Sequence, residues 1–305
     1  MSQKEISHSS NSLFELKIKT SFQHIAIACS GGADSISLAH RILKLQHNEH
    51  IKKICILHVN YQLRGLESDE DEDFIKDFAF QNKVEAHILK ASPPPKSNIQ
   101  AWARAVRRQW FQEWAQQGWV IALAHHRNDI AENTLLRLSR GTSAGHMAGL
   151  RTYSPPYWRP LLKLSKQDLL SYLQLHQQNY REDSSNQKDD YTRNVIRHQI
   201  LPKLEKMHPG ASKRIARTAQ QAQEICDWVR APYKGRTSIH VDEIRSAPPS
   251  VAREIISAIV SPQEQWLSEK ILDQMHAALL KNKQSCWTRP DQKRCIIKNK
   301  TLTLL

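Results

Sequence analysis

Long apolar segments are missing from this 305-residue sequence. The run from Trp119 to Ala124 is among the longest, and it falls far short of the roughly 20 residues that a membrane-spanning helix needs. The first 25 residues also lack the cleavable apolar segment of a secretory signal. We therefore expect a cytoplasmic protein with no membrane partner.

Cysteine is also scarce, and its spacing argues against two kinds of site. The five cysteines are an odd number, and no two of them are spaced as in a CxxC motif. This pattern fits reduced intracellular thiols better than a disulfide framework or a structural zinc site. The cysteines are Cys29, Cys55, Cys226, Cys286 and Cys295.

The charge of the chain is strongly of one sign. The sequence has 44 Lys and Arg against 30 Asp and Glu, which gives a net charge of +14. Hydrophobic residues make up 40% of the chain, enough for a packed core, so a disordered or collagen-like protein is not expected. The surplus of positive charge indicates a polyanionic partner. Nucleic acid fits better than a membrane surface, because the sequence has no amphipathic anchor.

The first half of the chain alternates short apolar runs with segments of helical spacing. Strands are expected at residues 24–29, 54–59, 84–89 and 120–124, and helices at residues 36–43, 70–80, 99–114 and 129–138. This alternation predicts an α/β fold with a doubly wound, mostly parallel sheet and helices on both of its faces. In such sheets ligands bind beyond the carboxyl ends of the strands.

The pattern changes in the second half. Residues 153–160 have a loop-like composition, and residues 166–176, 211–230, 253–260 and 264–280 have helical spacing. Short β-like runs follow at residues 295–297 and 301–305. We place the domain boundary at residues 207–210 (MHPG), which predicts a larger domain of residues 1–208 and a smaller, mainly helical domain of residues 209–305.

Residues 29–35 (CSGGADS) join the first predicted strand to the first helix. Gly31 and Gly32 permit a tight turn in which backbone N–H groups approach an anion, and the helix directs its positive end at the same place. Ser30 and Ser35 add hydroxyl donors, and Asp34 is the expected ligand of a magnesium ion. The alternative is an ordinary strand-to-helix turn that Ser35 caps. Because GxxxxGK[ST] and GxGxxG are absent, a kinase-type P-loop and a dinucleotide site are disfavoured.

The loop resembles the PP-loop of the N-type ATP pyrophosphatases, and further segments resemble the tRNA(Ile)-lysidine synthetase family. Those segments are residues 58–65 (HVNYQLRG), 67–69 (ESD), 124–132 (AHHRNDIAE), 140–142 (RGT), 159–161 (RPL), 182–186 (EDSSN) and 193–197 (RNVIR). The resemblance extends from about Ile25 to Leu204, with the motifs in order.

The resemblance implies an ATP-dependent ligase that uses Mg²⁺. Its substrates would be ATP, free L-lysine and a tRNA(Ile) with a CAU anticodon. The wobble cytidine would be adenylated with release of pyrophosphate, and the lysine amine would then displace AMP to give lysidine. That product changes codon reading to AUA and amino-acid identity from Met to Ile. The smaller domain would bind tRNA or form a homodimer.

The resemblance also implies roles for individual residues. The catalytic carboxylates would be Asp34, Asp129 and Glu132, with Asp34 as the metal ligand. The ATP-binding residues would be Ser30, Gly31, Gly32, Ala33, Asp34, Ser35, His58, Arg104, Arg107 and His125. The residues that bind tRNA or lysine would be Arg64, Asp129, Glu132, Arg140, Arg193 and Arg197.

Each of these groups also has a structural interpretation. Asp129 and Glu132 share one face of a helix, where acidic residues also suit a helix amino terminus. Arg104 and Arg107 could form a solvated basic stripe. The segments of residues 182–186 and 193–197 could be a surface loop and a helix cap.

The chain departs from the family pattern at two places. Tyr61 and Gln62 stand where the family commonly has His-Gly, and Arg108 stands where an aromatic residue is usual. Two rival functions remain, a tRNA thiolase of the same superfamily and an RNA-binding protein without catalysis. Thiolation is disfavoured because Cys29 and Cys55 lie on strands that are expected to be buried, and a protein without catalysis would not need the three carboxylates.

Overall fold

The computed structural model describes residues 22–45, 49–95, 97–147, 149–182, 192–261, 268–289 and 291–305. The chain divides into two compact units. Unit 1 comprises Met1–Asp129 and Leu150–Asp190, and unit 2 comprises Ile130–Gly149 and Tyr191–Leu305. The expected boundary between residues 208 and 209 stays a prediction.

Unit 1 contains a six-stranded sheet with the order β3–β2–β1–β4–β6–β5. The strands are β1 (His24–Ala28), β2 (Lys53–Asn60), β3 (Glu85–Lys90), β4 (Val120–Ala122), β5 (Tyr153–Ser154) and β6 (Tyr157–Trp158). All neighbouring pairs are parallel except β5 and β6. The predicted mostly parallel, doubly wound sheet is therefore confirmed.

Helices cover both faces of this sheet. They are α1 (Ala33–Leu43), α2 (Leu66–Gln81), α3 (Ile99–Gln116) and α5 (Lys166–Leu175), whereas α4 (Arg127–Arg140) follows β4 in the chain and belongs mostly to unit 2. Side chains alternate between the two faces along each strand. Ile25 and Ile27 of β1 therefore lie in a buried cluster with residues of α1, α2 and α5, whereas Ala26 lies in a second cluster with Phe111 of α3.

The interpretation of residues 153–160 as a loop is wrong in part. Strands β5 and β6 form an antiparallel hairpin around the cis peptide bond of Pro155 and Pro156, and β6 extends the parallel sheet beside β4. Each strand has only two residues. So short a segment contains no alternation from which a strand could be predicted.

Unit 2 is mainly helical and carries a second sheet. Beyond α4 it contains α6 (Thr192–Val195), a π-helical turn (Ile196–Ile200), α7 (Leu201–Met207), α8 (Ala211–Arg230), α9 (Pro249–Val260) and α10 (Glu269–Leu280). Strands β7 (Ser238–His240), β8 (Ser285–Thr288), β9 (Arg294–Lys298) and β10 (Thr301–Leu304) form an antiparallel sheet with the order β7–β10–β9–β8.

Unit 2 has its own apolar core, to which α9, α10 and the second sheet contribute Ile256, Leu279 and Ile297. The first residues of the helix expected at 264–280 lie outside the described part of the chain. None of the described helices is long and apolar enough to cross a membrane.

Candidate functional site

The sheet topology creates a crevice where β1 and β4 end. The chain moves from β1 to β2 and β3 on one side and reaches β4 on the other side. The order therefore reverses between β1 and β4, which is where ligands bind in open α/β sheets. Residues 29–35 follow β1 at this place, and His125 and His126 follow β4.

The hydroxyl of Ser35 shapes the loop after β1. It donates a hydrogen bond to the Gly32 carbonyl at 2.9 Å, accepts one from the Ser30 amide at 3.1 Å, and lies 3.2 Å from the Ser30 hydroxyl. Gly31 has a φ of +91°, a conformation that a residue with a side chain rarely adopts. Ser35 is therefore a buried part of the framework, whereas Ser30 is exposed at the crevice.

A network of ion pairs braces this loop within unit 1. The Gly31 carbonyl accepts a hydrogen bond from the Arg181 amide at 2.9 Å. Arg181 Nε lies 2.9 Å from Asp71 Oδ1, and Arg64 Nη2 lies 2.6 Å from Asp71 Oδ2. Arg64, predicted to contact tRNA or lysine, is thus held by a carboxylate of α2, and its predicted role stays a prediction.

His58 lies beneath the loop with 4% of its surface exposed. Its Nδ1 is 2.9 Å from the Cys29 carbonyl. Since a carbonyl can only accept, Nδ1 carries the hydrogen and Nε2 is the unprotonated nitrogen. Burial lowers the pKa of His58 and outweighs the Cys29 carbonyl, which raises it, so the ring is neutral at pH 7. Its Nε2 is buried and has no hydrogen-bond partner among the described residues. The geometry makes His58 a support for the loop, and the ATP contact predicted for it stays a prediction.

Four polar side chains of unit 1 meet beside the loop. Lys166 Nζ lies 2.7 Å from Asp34 Oδ1, and His126 Nε2 lies 3.7 Å from Asp34 Oδ2. The same His126 nitrogen is 3.6 Å from Asp129 Oδ2, which also accepts a hydrogen bond from the His126 amide at 2.8 Å. The predicted carboxylates Asp34 and Asp129 are therefore linked through one histidine.

Asp34 is ionised at neutral pH. Its burial would raise the pKa of the carboxyl group, but hydrogen bonding and charge from His126 and the charge of Lys166 outweigh this effect and hold the pKa below its usual value. One third of the side chain stays exposed, so the carboxylate remains accessible to a ligand.

Two residues of this cluster were not among the predicted site residues. The histidine that contacts both carboxylates is His126, whereas the ATP contact predicted for the adjacent His125 stays a prediction. Lys166 is separated from Asp34 by 132 positions in the sequence. Its one available signal is its position as the first residue of a helix, where the helix dipole disfavours a cation.

Glu132 is the centre of a separate cluster in unit 2. Its carboxylate is buried and accepts hydrogen bonds from Arg193 Nε at 2.9 Å and from Arg197 Nε and Nη2 at 2.7 and 2.9 Å. Both arginine side chains remain more than a third exposed, and Arg140 is exposed at the end of α4. Of the segment at residues 182–186, only Glu182 belongs to the described part of the chain.

Arg104 and Arg107 lie on exposed positions of α3. Tyr61 packs against this helix, since its hydroxyl donates to the Ala103 carbonyl at 3.2 Å and its ring lies 5.9 Å from that of Trp102. Burial raises the pKa of Tyr61, and the charge of Arg107 together with a hydrogen bond to it opposes that rise. The contacts of Arg104 and Arg107 with ATP stay predictions.

Gln62 has a left-handed backbone conformation that usually favours glycine. Its φ is +55°, and its amide donates a hydrogen bond to Asn60 Oδ1 at 2.9 Å. This bond offsets part of the cost of a left-handed conformation. A side-chain acceptor two residues earlier therefore stabilises this loop at the position where the family commonly has glycine.

Comparison with known proteins places the chain among PP-loop proteins. Residues 3–204 match the family model of the PP-loop domain. The relatives include proteins named tRNA(Ile)-lysidine synthase from Parabacteroides distasonis (33% identical, covering 84% of this chain and 60% of the relative) and Bacillus licheniformis (30%, 86% and 58%). A third such relative, from Geobacter sulfurreducens, is 34% identical, and the match covers 64% of this chain and 43% of the relative. The resemblance to this family is confirmed, and the chain spans about half the length of these relatives.

A solved structure has the same fold. It is a U34-tRNA thiolase from Methanococcus maripaludis with its [4Fe-4S] cluster, which matches with a TM-score of 0.59 and 18% sequence identity over 72% of this chain and 78% of the other. At this identity the match is evidence for the fold alone.

Proposed function

This chain belongs to the PP-loop domain family, and we propose that it joins free L-lysine to the wobble cytidine of a tRNA(Ile) with a CAU anticodon at the expense of ATP. The observation that carries the proposal is the ionised Asp34 beside the loop of residues 30–35, in a chain whose relatives are named for lysidine formation. The net charge of +14 supports an RNA partner.

The loop supplies the groups that ATP requires. Backbone amides at the start of α1 and the exposed Ser30 hydroxyl can donate to phosphate oxygens, and the helix dipole favours their negative charge. Such donors stabilise the pyrophosphate as it leaves. The cytosine carbonyl oxygen attacks the α-phosphate, the bond to pyrophosphate breaks, and an adenylated cytidine remains.

The residues around Asp34 fit a magnesium ion. Mg²⁺ is usually held by one or two carboxylates together with substrate phosphates and water, and the accessible Asp34 carboxylate beside the loop provides that donor set. When bound, the ion neutralises charge on the phosphates. Asp34 would hold it, and the remaining ligands would come from ATP and solvent.

The second step needs a neutral amine. The lysine amine must lose its proton before it attacks the ring carbon, after which the bond to AMP breaks. Both oxygens of Glu132 already accept hydrogen bonds from Arg193 and Arg197, which favours a binding role for that cluster. Asp129, linked to Asp34 through His126, is the better carboxylate to accept the proton.

The cysteines make a thiolase the weaker candidate. Burial raises the pKa of Cys29 to about 11 and that of Cys55 to about 12, so neither thiol is a nucleophile at neutral pH. No group of three His, Cys, Asp or Glu residues in the described ranges has the arrangement of a metal site.

The test is to incubate the full chain with ATP, Mg²⁺, labelled lysine and a transcript of tRNA(Ile) with a CAU anticodon. We expect lysine on the RNA, and we expect Asp34→Asn to abolish it. The matched control is Asp73→Asn on α2, where the carboxylate is 72% exposed and pairs only with Lys76 among the described residues. ATP cleavage to AMP with another RNA would move the function to a different PP-loop reaction, and no activity in either assay would favour an RNA-binding protein.

A further inference from the structure

Lys166 occupies a position that its own helix does not explain. It is the first residue of α5, where the dipole disfavours a cation. The start of α5 is already capped, because the Ser165 hydroxyl accepts from the Asp168 amide and the Asp168 carboxylate accepts from the Ser165 amide. The contact of Lys166 Nζ with Asp34 Oδ1 at 2.7 Å therefore accounts for the lysine.

This contact competes with the ligand that the proposed function assigns to Asp34. An ammonium and a divalent cation repel each other, so magnesium on Asp34 weakens the hold of this carboxylate on the Lys166 ammonium. Lys166 is 42% exposed and has a flexible side chain, so it can leave Asp34 without repacking a core. Because Asp34 lies in the first turn of α1, the freed ammonium remains beside the loop that receives the phosphates.

We propose that Lys166 is a further ATP-binding residue: its ammonium neutralises Asp34 while no nucleotide is bound, and it passes to a phosphate oxygen of ATP once Asp34 holds magnesium. A triphosphate keeps excess negative charge after one divalent cation has bound, and this charge draws the ammonium from one partner to the other. The inference rests on the proposed function, since it assumes that ATP and magnesium bind at this loop.

The test measures ATP affinity by calorimetry without RNA, once with Mg²⁺ and once with EDTA. With Mg²⁺ we expect Lys166→Met to bind ATP on the order of tenfold more weakly than the unmodified chain, the size of one charge-assisted hydrogen bond. With EDTA the ammonium stays on Asp34 and makes no bond to ATP, so Lys166→Met then loses only the neutralisation of Asp34 and the difference should be smaller. Lys166→Arg should retain most of the affinity. The matched control is Lys163→Met, which removes the same charge from an exposed position three residues earlier.

Two results would overturn the inference. An equal loss of affinity with and without Mg²⁺ would assign Lys166 a structural role, and an equal loss in Lys163→Met would assign the effect to overall charge. If the unmodified chain itself fails to bind ATP in both conditions, the proposed function fails instead, so the two failures are distinguishable. Thermal unfolding of each variant identifies a change in folding.

Discussion

Arg197 donates two hydrogen bonds to Glu132, from Nε to Oε1 at 2.7 Å and from Nη2 to Oε2 at 2.9 Å. Arg193 Nε reaches Oε2 of the same carboxylate at 2.9 Å. A buried carboxylate therefore fixes two guanidinium groups whose side chains remain partly exposed. This arrangement is suited to presenting two positive charges to an anionic substrate.

Replacement of Glu132 by Gln should lower the stability of the folded protein. The substitution removes the charge that the two arginines share, but both arginines can regain water because they are partly exposed. We expect unfolding to require about 1–2 kcal/mol less free energy, measured by urea denaturation. The control is Glu224→Gln, an exposed position on α8, which should change stability by less than about 0.5 kcal/mol. Equal stability of the two variants would show that the cluster does not stabilise unit 2.

Replacement of Gln62 by Gly should stabilise the protein. A residue with a side chain at a φ of +55° costs about 1–2 kcal/mol, which glycine avoids. Glycine loses more conformational freedom on folding, and this loss cancels roughly 0.5–1 kcal/mol of the gain. We expect a net gain of up to about 1 kcal/mol in denaturant unfolding. Gln62→Ala keeps the unfavourable conformation and should give no gain. A gain of the same size in Gln62→Ala would contradict the role of the backbone.

His40 should make the protein less stable as the pH falls from about 6.5 to about 4. Burial, helped by the charges of Lys44, His176 and Arg41, lowers the pKa of His40 from 6.5 to about 4. Between those values the unfolded chain binds the proton at this residue and the folded chain does not, so protonation favours unfolding. In His40→Gln the unfolding free energy should depend less steeply on pH across this window. The difference in slope should correspond to at most about one proton taken up on unfolding. Identical slopes for the two proteins would refute this assignment.

The thiols should react unequally in the native protein. Cys286 is exposed, whereas the other four cysteines are buried and have pKa values raised by burial to about 11 or 12. A thiol reagent at pH 7.5 should therefore label Cys286 rapidly and all five cysteines only after denaturation. The labelling should disappear in native Cys286→Ser. Rapid labelling of Cys29 would contradict its burial at the end of β1.

The sequence predicted those parts of the fold that have a local pattern. Strands β1 to β4 follow from apolar runs, the helices between them from helical spacing, and the turn at residues 29–35 from its two glycines. Strands β5 and β6 could not be predicted because two residues cannot display a period of two. The same limit applies to the site. Asp34 and Asp129 belong to recognisable segments, but the Lys166–Asp34 contact joins positions 132 residues apart, and the unusual place of a lysine at a helix start does not identify its partner.

The hydrogen bond from the Arg181 amide to the Gly31 carbonyl has a consequence for biosynthesis. The loop and the residue that braces it are separated by most of unit 1 in the chain. During synthesis from the amino terminus, β1 and α1 emerge long before Arg181 does. A nascent chain that stops short of Arg181 should thus contain every residue of the loop at residues 29–35 and lack the hydrogen bond that braces it. The loop therefore gains its brace among the last parts of unit 1 to be synthesised, so we expect residues 29–35 to adopt their folded conformation only after Arg181 has emerged.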